Sequence, residues 1–351
     1  MIEIIRNKNQ WDATLKMVDI YDFYHTYDYH QISKKEDEQA VLVKYSEKDT
    51  IIAIPLLLRE ITGTQFHDFT SVYGYAGPLT KNIDNTFVNA HFLKEFKEYL
   101  LDNHIISVFS RLNPFIPNQE ICLRNFGEIS TMSHIVNIDV TRNLEEQKQA
   151  YYKRLKTHIN KARRKCYVRM AESKEDVLAY IELYYANMKR VNAKKEYFFD
   201  HNYFFQLLDS KDFNARIFLA IEKETNGIIA GAMFIETNKI VQYHLSGSDL
   251  EHLNLFPIKL LIDEMRIIAG RENCKFLNLG GGVGSKEDSL FHFKSSFSQD
   301  FKNFTIWKCV SDIEKYEALI VEKMKPNCGN FVKGCSHFFP CYRCNGLNNT
   351  I

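Results

Sequence analysis

Apolar and polar positions change period several times along the chain. VLVKYS (41–46) and IIAIPLLLRE (51–60) are apolar, β-branched runs separated by the polar turn EKD, which predicts a hairpin. Pro55 inside the second run predicts an edge position or a bulge, because proline offers no ladder N–H. SVYGYAGPLT (71–80) is an aromatic loop punctuated by glycine. Phe92, Phe96, Tyr99 and Leu100 fall at helical spacing and predict a helix within 87–103. IISVFSRLNP (105–114) reads as a strand ending in a turn, and HIVNIDV (134–140) as another strand.

The pattern then shifts. Leu155, Ile159, Ala162 and Cys166 recur at helical spacing and draw one apolar stripe. The rest of that helix is basic. From Tyr151 to Ala171 there is no acidic residue, yet Lys153, Arg154, Lys156, Lys161, Arg163, Arg164, Lys165 and Arg169 occur. Helices are predicted at 174–191 and 201–209. Strands follow at 215–222, 228–236 and 239–246, with Asn226-Gly227 as a hairpin turn. Leu255, Ile258, Ile262, Met265 and Ala269 define a helix. KFLNL (275–279) and FTIWKCV (304–310) are further strands. Helix then strand at 87–110 is echoed by helix then strand at 254–279, each after a strand meander. That order fits two similar folds in tandem.

A chain of 351 residues is long for one core. The composition shift sets the expected boundaries: a first domain over 1–145, a second over 146–325 that begins with the basic helix, and a cysteine-rich tail over 326–351. Lys plus Arg number 45 and Asp plus Glu 44, so net charge gives no ground for a general nucleic-acid or membrane binder. MIEIIRNKNQW lacks an apolar signal region, and no apolar run reaches spanning length. The expectation is a cytoplasmic protein without integral membrane association. Cys122, Cys166, Cys274 and Cys309 read as reduced core residues. The tail holds Cys328, Cys335, Cys341, Cys344 and His337. Its C-x-x-C at 341–344 is half a zinc site, and no second C-x-x-C accompanies it, so no metal is expected.

Candidate chemistry concentrates in KFLNLGGGVGSKEDSLFHFKSSFSQDF (275–301). Gly280, Gly281 and Gly282 form neither a Walker loop nor GxGxxG. They let backbone amides approach a pyrophosphate or carbonyl, or else simply make a strand-to-helix turn. Leu290, Phe293 and Phe297 share a helical face, with Lys294 at its edge. An ammonium among aromatic walls and glycine amides suits an oxyanion, whereas most helix lysines are merely solvated. His244 lies in the strand VQYHLSG, where alternation puts Gln242 and His244 on one face and Tyr243 and Leu245 on the other. His244 is a candidate base, with a packed core histidine as the plainer alternative. Lys153, Arg154, Lys161 and Arg164 are candidate phosphate ligands, unless carboxylates elsewhere neutralise them.

The order of the basic helix, YHLSGSD, FPIKLLIDEMRIIAG, CKFLNLGGG and SLFHFKSSF resembles the GNAT superfamily in its tandem form. That form comprises the Fem-type (FemAB-like) aminoacyltransferases and related bacterial acyltransferases. The resemblance runs from about Tyr151 to Phe301, and GYAGPL (74–79) is similar to the family's glycine-proline loop. It implies an α/β fold with mixed sheets, built as two tandem GNAT-like domains around a cleft. It implies an acyl- or aminoacyltransferase acting on an amine of a cell-envelope or polysaccharide precursor. The donor would be acyl-CoA, an acyl carrier or aminoacyl-tRNA, with no tightly bound cofactor, and tRNA would be a partner in the Fem-type case. Lys294 matches the lysine that the family places near the reacting carbonyl. Tyr75 and Arg111 are candidates to line the cleft on loop position alone, with ordinary loop roles as the plainer alternative, and Asn113 and Tyr243 are candidate substrate contacts. Two departures stand out. Asn113, in RLNP (111–114), occupies the place of an acidic residue, which puts peptidoglycan-precursor binding in question. No Q/R-x-x-G-x-G/A loop precedes the helix near 247–255, which counts against acetyl-CoA. Three functions stay open: an acyltransferase, a Fem-type peptidoglycan-bridge aminoacyltransferase, and a non-catalytic GNAT-fold binding protein.

Overall fold

The computed structural model describes residues 1–323 and 338–344. Cys328, Cys335 and His337 lie outside the described residues, while Cys341 and Cys344 are half-buried. The chain forms two compact units: residues 1–133 together with the segment returning from Asn303, and residues 134–302.

The first unit has strands β1 (Ile2–Ile5), β2 (Glu38–Glu47), β3 (Thr50–Glu60), β4 (His67–Thr70), β5 (Leu79–Lys81) and β6 (Ile105–Arg111). The sheet order is β1-β2-β3-β4-β6, and the returning strand Asp300–Val310 follows β6. Neighbours are antiparallel except β4 and β6, which run parallel. A parallel pair needs a crossover, and helix α1 (Ala90–Asp102) supplies it. Its Phe92, Phe96 and Leu100 enter a core with Val41, Ile54, Phe69, Val108 and Trp307.

The predicted hairpin is β2–β3, but Pro55 is neither at an edge nor in a bulge. It sits opposite Leu42 in unbroken register. On the other side of β3, β5 pairs with Ile51–Ala53 and β4 with Leu57–Glu60. Pro55 falls in the gap between these two partners, where no N–H is asked for.

The second unit has β7 (Glu128–Asp139), β8 (Cys166–Met170), β9 (Asn214–Glu222), β10 (Ile228–Thr237), β11 (Ile240–Ser248) and β12 (Phe276–Gly280), ordered β7-β12-β11-β10-β9-β8. Its helices include α2 (Lys153–Lys165), α3 (Lys174–Arg190), α4 (His201–Asp209), α5 (Pro257–Arg271) and α6 (Ser289–Ser295). Neighbours are again antiparallel except one parallel pair, β11 and β12, with α5 as the crossover. The two units therefore share one strand topology. Each sheet closes on a strand antiparallel to the last parallel one: the returning strand in the first unit, β7 in the second.

This arrangement explains where the units divide. Val136–Asp139 of β7 pair with Phe276–Gly280 of β12, so the second unit begins at His134. Ile306–Val310 pair with Ser107–Arg111, so the strand at 304–310 returns to the first unit. The expected boundary at 145/146 followed the charge pattern, which marks α2 and not the sheet edge.

Leu155, Ile159 and Ala162 of α2 pack with Leu260, Leu261, Met265 and Ala269 of α5, as the apolar stripe predicts. A hydrogen-bonded network fixes the two helices. The Tyr151 hydroxyl donates to Asp263 at 2.8 Å, Arg163 pairs with Asp263 at 2.7 Å and with Glu264, and Arg266 Nε donates to Asp263 at 3.0 Å. Asp263 and Arg266 are both buried. No helix among the described residues is long and apolar enough to cross a membrane.

Candidate functional site

Strand β11 pairs with β12 only over Ile240–Gln242. It then runs on from Tyr243 to Ser248 while the two strands part. On its other side the register with β10 slips: Met233 faces Leu245 and Phe234 faces Tyr243. His244 is therefore the extra residue of a β-bulge, a device that re-aims neighbouring side chains. A groove of about 330 Å³ lies along this stretch. Its walls are Tyr243, Ser246, Gly247 and Ser248 of β11, Asn187 and Arg190 of α3, Phe256, Pro257 and Lys259 at the start of α5, and Leu290 and Phe293 of α6. A Cβ on Gly247 would stand 2.3 Å from the Leu183 carbonyl, so only glycine lets α3 lie this close to the strand.

The start of α5 concentrates positive charge. Phe256 caps the helix in the left-handed region (φ 58°), a costly place for a bulky residue, and Pro257 opens the first turn. The Phe256 ring stacks on His158 of α2 at 3.7 Å between centroids. Lys259 and Lys161 stand 5.2 and 5.5 Å from the same ring centroid. Lys259 Nζ is 2.8 Å from His158 Nδ1, and Lys161 Nζ donates to the Asn254 carbonyl at 3.0 Å. Burial and then Arg154 lower the pKa of Lys259. Burial, Lys259, Arg154 and Lys161 lower that of His158. A lysine and a histidine both disfavoured as cations by their neighbours, beside a helix N-terminus at the end of a groove, make a place where an anion relieves repulsion.

The basic helix thus divides its labour. Arg163 is committed to Asp263 and Glu264. Lys161 stands over the Phe256 ring at the groove's charged end and donates to the Asn254 carbonyl. Lys153, Arg154 and Arg164 are exposed, and none has an ion-pair partner among the described residues.

Lys294 is buried, not at the edge of an open aromatic face. Asp288 caps α6 through the Phe291 N–H, and Lys294 Nζ donates to the Gly281 carbonyl at 2.7 Å. Burial lowers its pKa to about 8, with Asp288 partly opposing. The same helix presents Leu290 and Phe293 to the groove, while Phe297 goes to the core.

The glycines serve their own loop. Gly280 has a positive φ of 76°, and its N–H is taken by Asn278 Oδ1 at 2.8 Å. Gly281 supplies the carbonyl to Lys294. A Cβ on Gly282 would meet the Lys286 carbonyl at 2.0 Å. None of the three lines the groove.

Tyr243 lies in the groove, hydrogen-bonded to Ser246. His244 is not one of the groove's walls. Its Nε2 lies 2.8 Å from the Tyr203 hydroxyl of α4, and burial pushes its pKa down to about 3, which makes it a weak base.

Tyr75, Arg111 and Asn113 belong to the first unit. The Tyr75 ring packs edge-on against Tyr24 and Phe304. The Arg111 guanidinium covers the Phe109 ring at 5.4 Å. Asn113 is buried. Its Nδ2 donates to Asp22 at 3.0 Å and to the Tyr75 carbonyl at 2.8 Å, and its Oδ1 accepts from the Phe115 N–H. Its amide is consumed in holding the 74–79 loop and Asp22, which leaves little for a substrate.

The sequence reading therefore named Tyr243 among the groove's walls and Lys161 beside one of them, Phe256, but missed the walls Asn187, Arg190, Ser246, Phe256 and Lys259 and, stacked on Phe256, His158. Pro257 after Phe256 was a legible helix-start signal that pointed to this end of the groove.

Residues 218–305 match the model of the FemAB family. The structure of FemX superposes with a TM-score of 0.70 at 12% identity, covering 90% of this chain and 99% of FemX. A conserved protein of unknown function from Bacteroides thetaiotaomicron superposes with a TM-score of 0.56 at 11% identity, covering 88% of this chain and 100% of the other. At such identities the likeness is one of fold. No curated protein matches the chain. The chain is FemAB-like in fold and over this segment.

Proposed function

We propose that this FemAB-like chain is an acyl- or aminoacyltransferase that moves its acyl group to an amine of a cell-envelope or polysaccharide precursor. The observation that carries the reading is the groove where β11 leaves β12, walled at one end by Phe256 and Lys259, against which His158 and Lys161 pack. An extended donor fits such a strand edge, and its phosphates fit the charged end. The exposed Lys153, Arg154 and Arg164 favour a donor with many phosphates, and so aminoacyl-tRNA within this class.

The acceptor amine attacks the donor carbonyl directly. A tetrahedral oxyanion develops, and the amine loses a proton as the leaving group departs. Lys294 is the buried cation on the helix that walls the groove. An ammonium has three N–H donors, of which Gly281 takes one. We assign the others to the oxyanion. Direct attack needs an amine already neutral or a proton acceptor, and the weakly basic His244 is poorly suited to that task.

Thermal shift against acyl-CoA, acyl carrier protein, nucleotide sugars and aminoacyl-tRNA tests the reading. One acyl-donor class raises the Tm of the wild type and does so less for Lys259→Met. Stabilisation by nucleotide sugars alone, or by none of the ligands, would overturn it.

A further inference from the structure

We propose that His158 couples donor-phosphate binding to proton uptake: neutral in the free protein as the acceptor for Lys259, it protonates when Lys259 turns to a bound anion. This rests on the reading of the groove's charged end as the donor-phosphate site.

The geometry fixes the free state. Lys259 has no acceptor capacity, so its 2.8 Å contact with His158 Nδ1 requires that nitrogen to be unprotonated. The imidazole lies flat on Phe256, at 3.7 Å and 16° between ring planes, a contact that favours its staying in the cluster. The groups facing it are cations on both packed helices: Arg154 and Lys161 from α2, and Lys259 from α5. The carboxylates further along α5, Asp263 and Glu264, are taken by Arg163. A bare cluster of this kind favours neutral imidazole.

An anion at the end of the groove reverses both terms. It offers Lys259 a charged acceptor in place of the imidazole nitrogen, and it screens the cations that oppose a charge on His158. The freed Nδ1 then takes a proton from solvent, and the imidazolium adds to the anion's partners. By linkage, each unit by which the anion raises the His158 pKa is about a tenfold gain in affinity on going from high to low pH. The charge state of the donor anchor would thus respond to pH, independently of the transfer chemistry.

The test uses sulfate, whose charge is constant between pH 5 and 9, with ionic strength held by chloride. Histidine ring resonances of isotope-labelled wild type are titrated with and without sulfate, and His158→Gln identifies the His158 signal. Sulfate is expected to move the His158 midpoint to higher pH. Sulfate affinity should fall severalfold as pH rises for the wild type and stay level for His158→Gln. Sulfate binding with an unmoved His158 midpoint would overturn the coupling and leave the donor site standing. If sulfate perturbs neither His158 nor the Lys259 ammonium signal, the charged end is no anion site and both readings fall.

Discussion

Lys294 is a cation that folding removes from water, and its stability cost can be separated from its chemistry by pH. Its ordinary value of 10.5 falls to about 8 in the folded protein, chiefly through burial. Between those values the unfolded chain binds the proton more tightly than the folded one. Stability of the wild type therefore rises as pH climbs through this window, and the cost is fully present below it. At neutral pH that cost is about 3 kcal/mol. Lys294→Met removes it and also removes a donor from the Gly281 carbonyl, a loss of about 1–2 kcal/mol that does not depend on pH. The variant should therefore be more stable than the wild type at pH 7 by about 1–2 kcal/mol. More sharply, its advantage should shrink by about 2 kcal/mol between pH 7 and pH 9.5, because every other titrating group is common to both proteins. Urea unfolding followed by circular dichroism at the two pH values reads this difference. An unchanged gap would show that Lys294 is not a desolvated cation, and the premise for its oxyanion role would go with it.

Three other outcomes follow from the same contacts. Lys259→Met should weaken the donor by about 1.5–3 kcal/mol, the worth of a charge-assisted hydrogen bond, and lower the salt dependence of binding, both measured by titration calorimetry. Asp263→Ala leaves Arg266 buried without its carboxylate and should cost about 3–5 kcal/mol in urea unfolding, whereas a loss under 1 kcal/mol would contradict the clamp between α2 and α5. His25 and His30 are buried, with pKa values pushed down to about 4 and about 3. Their folded-state values lie below the unfolded one, so stability is held above pH 6.5 and lost as pH falls toward 4. Trp11, whose ring lies 5.1 Å from His30, should report that loss by fluorescence. His30→Phe should move its midpoint to lower pH.

The elements were largely legible because their periods were clean. The stripe Leu155–Ile159–Ala162 and the α5 stripe needed only spacing to be read, and the echo of helix then strand proved to be one topology used twice. The unit boundary was not legible. It depends on β7 and Asp300–Val310 choosing sheets, and strand pairing leaves no local signal. Pro55 misled for the same reason, since its tolerance comes from a gap between two partner strands. At the site, the charge run disclosed cations but not which of them pair: Arg163 and Lys161 look alike until Asp263 and the Asn254 carbonyl are placed. His244 looked well placed by alternation. The bulge at that residue, and Tyr203 from a separate helix, turn it away from the groove.

The central claim is acyl transfer in the groove with Lys294 beside the reacting carbonyl. Its most direct test is the single-turnover rate of labelled acyl transfer from the donor class that stabilises the protein, compared for wild type and Lys294→Ala. The account predicts transfer by the wild type and a rate lower by about 10²–10³ in the variant, with donor affinity little changed. Transfer by Lys294→Ala at the wild-type rate would contradict it.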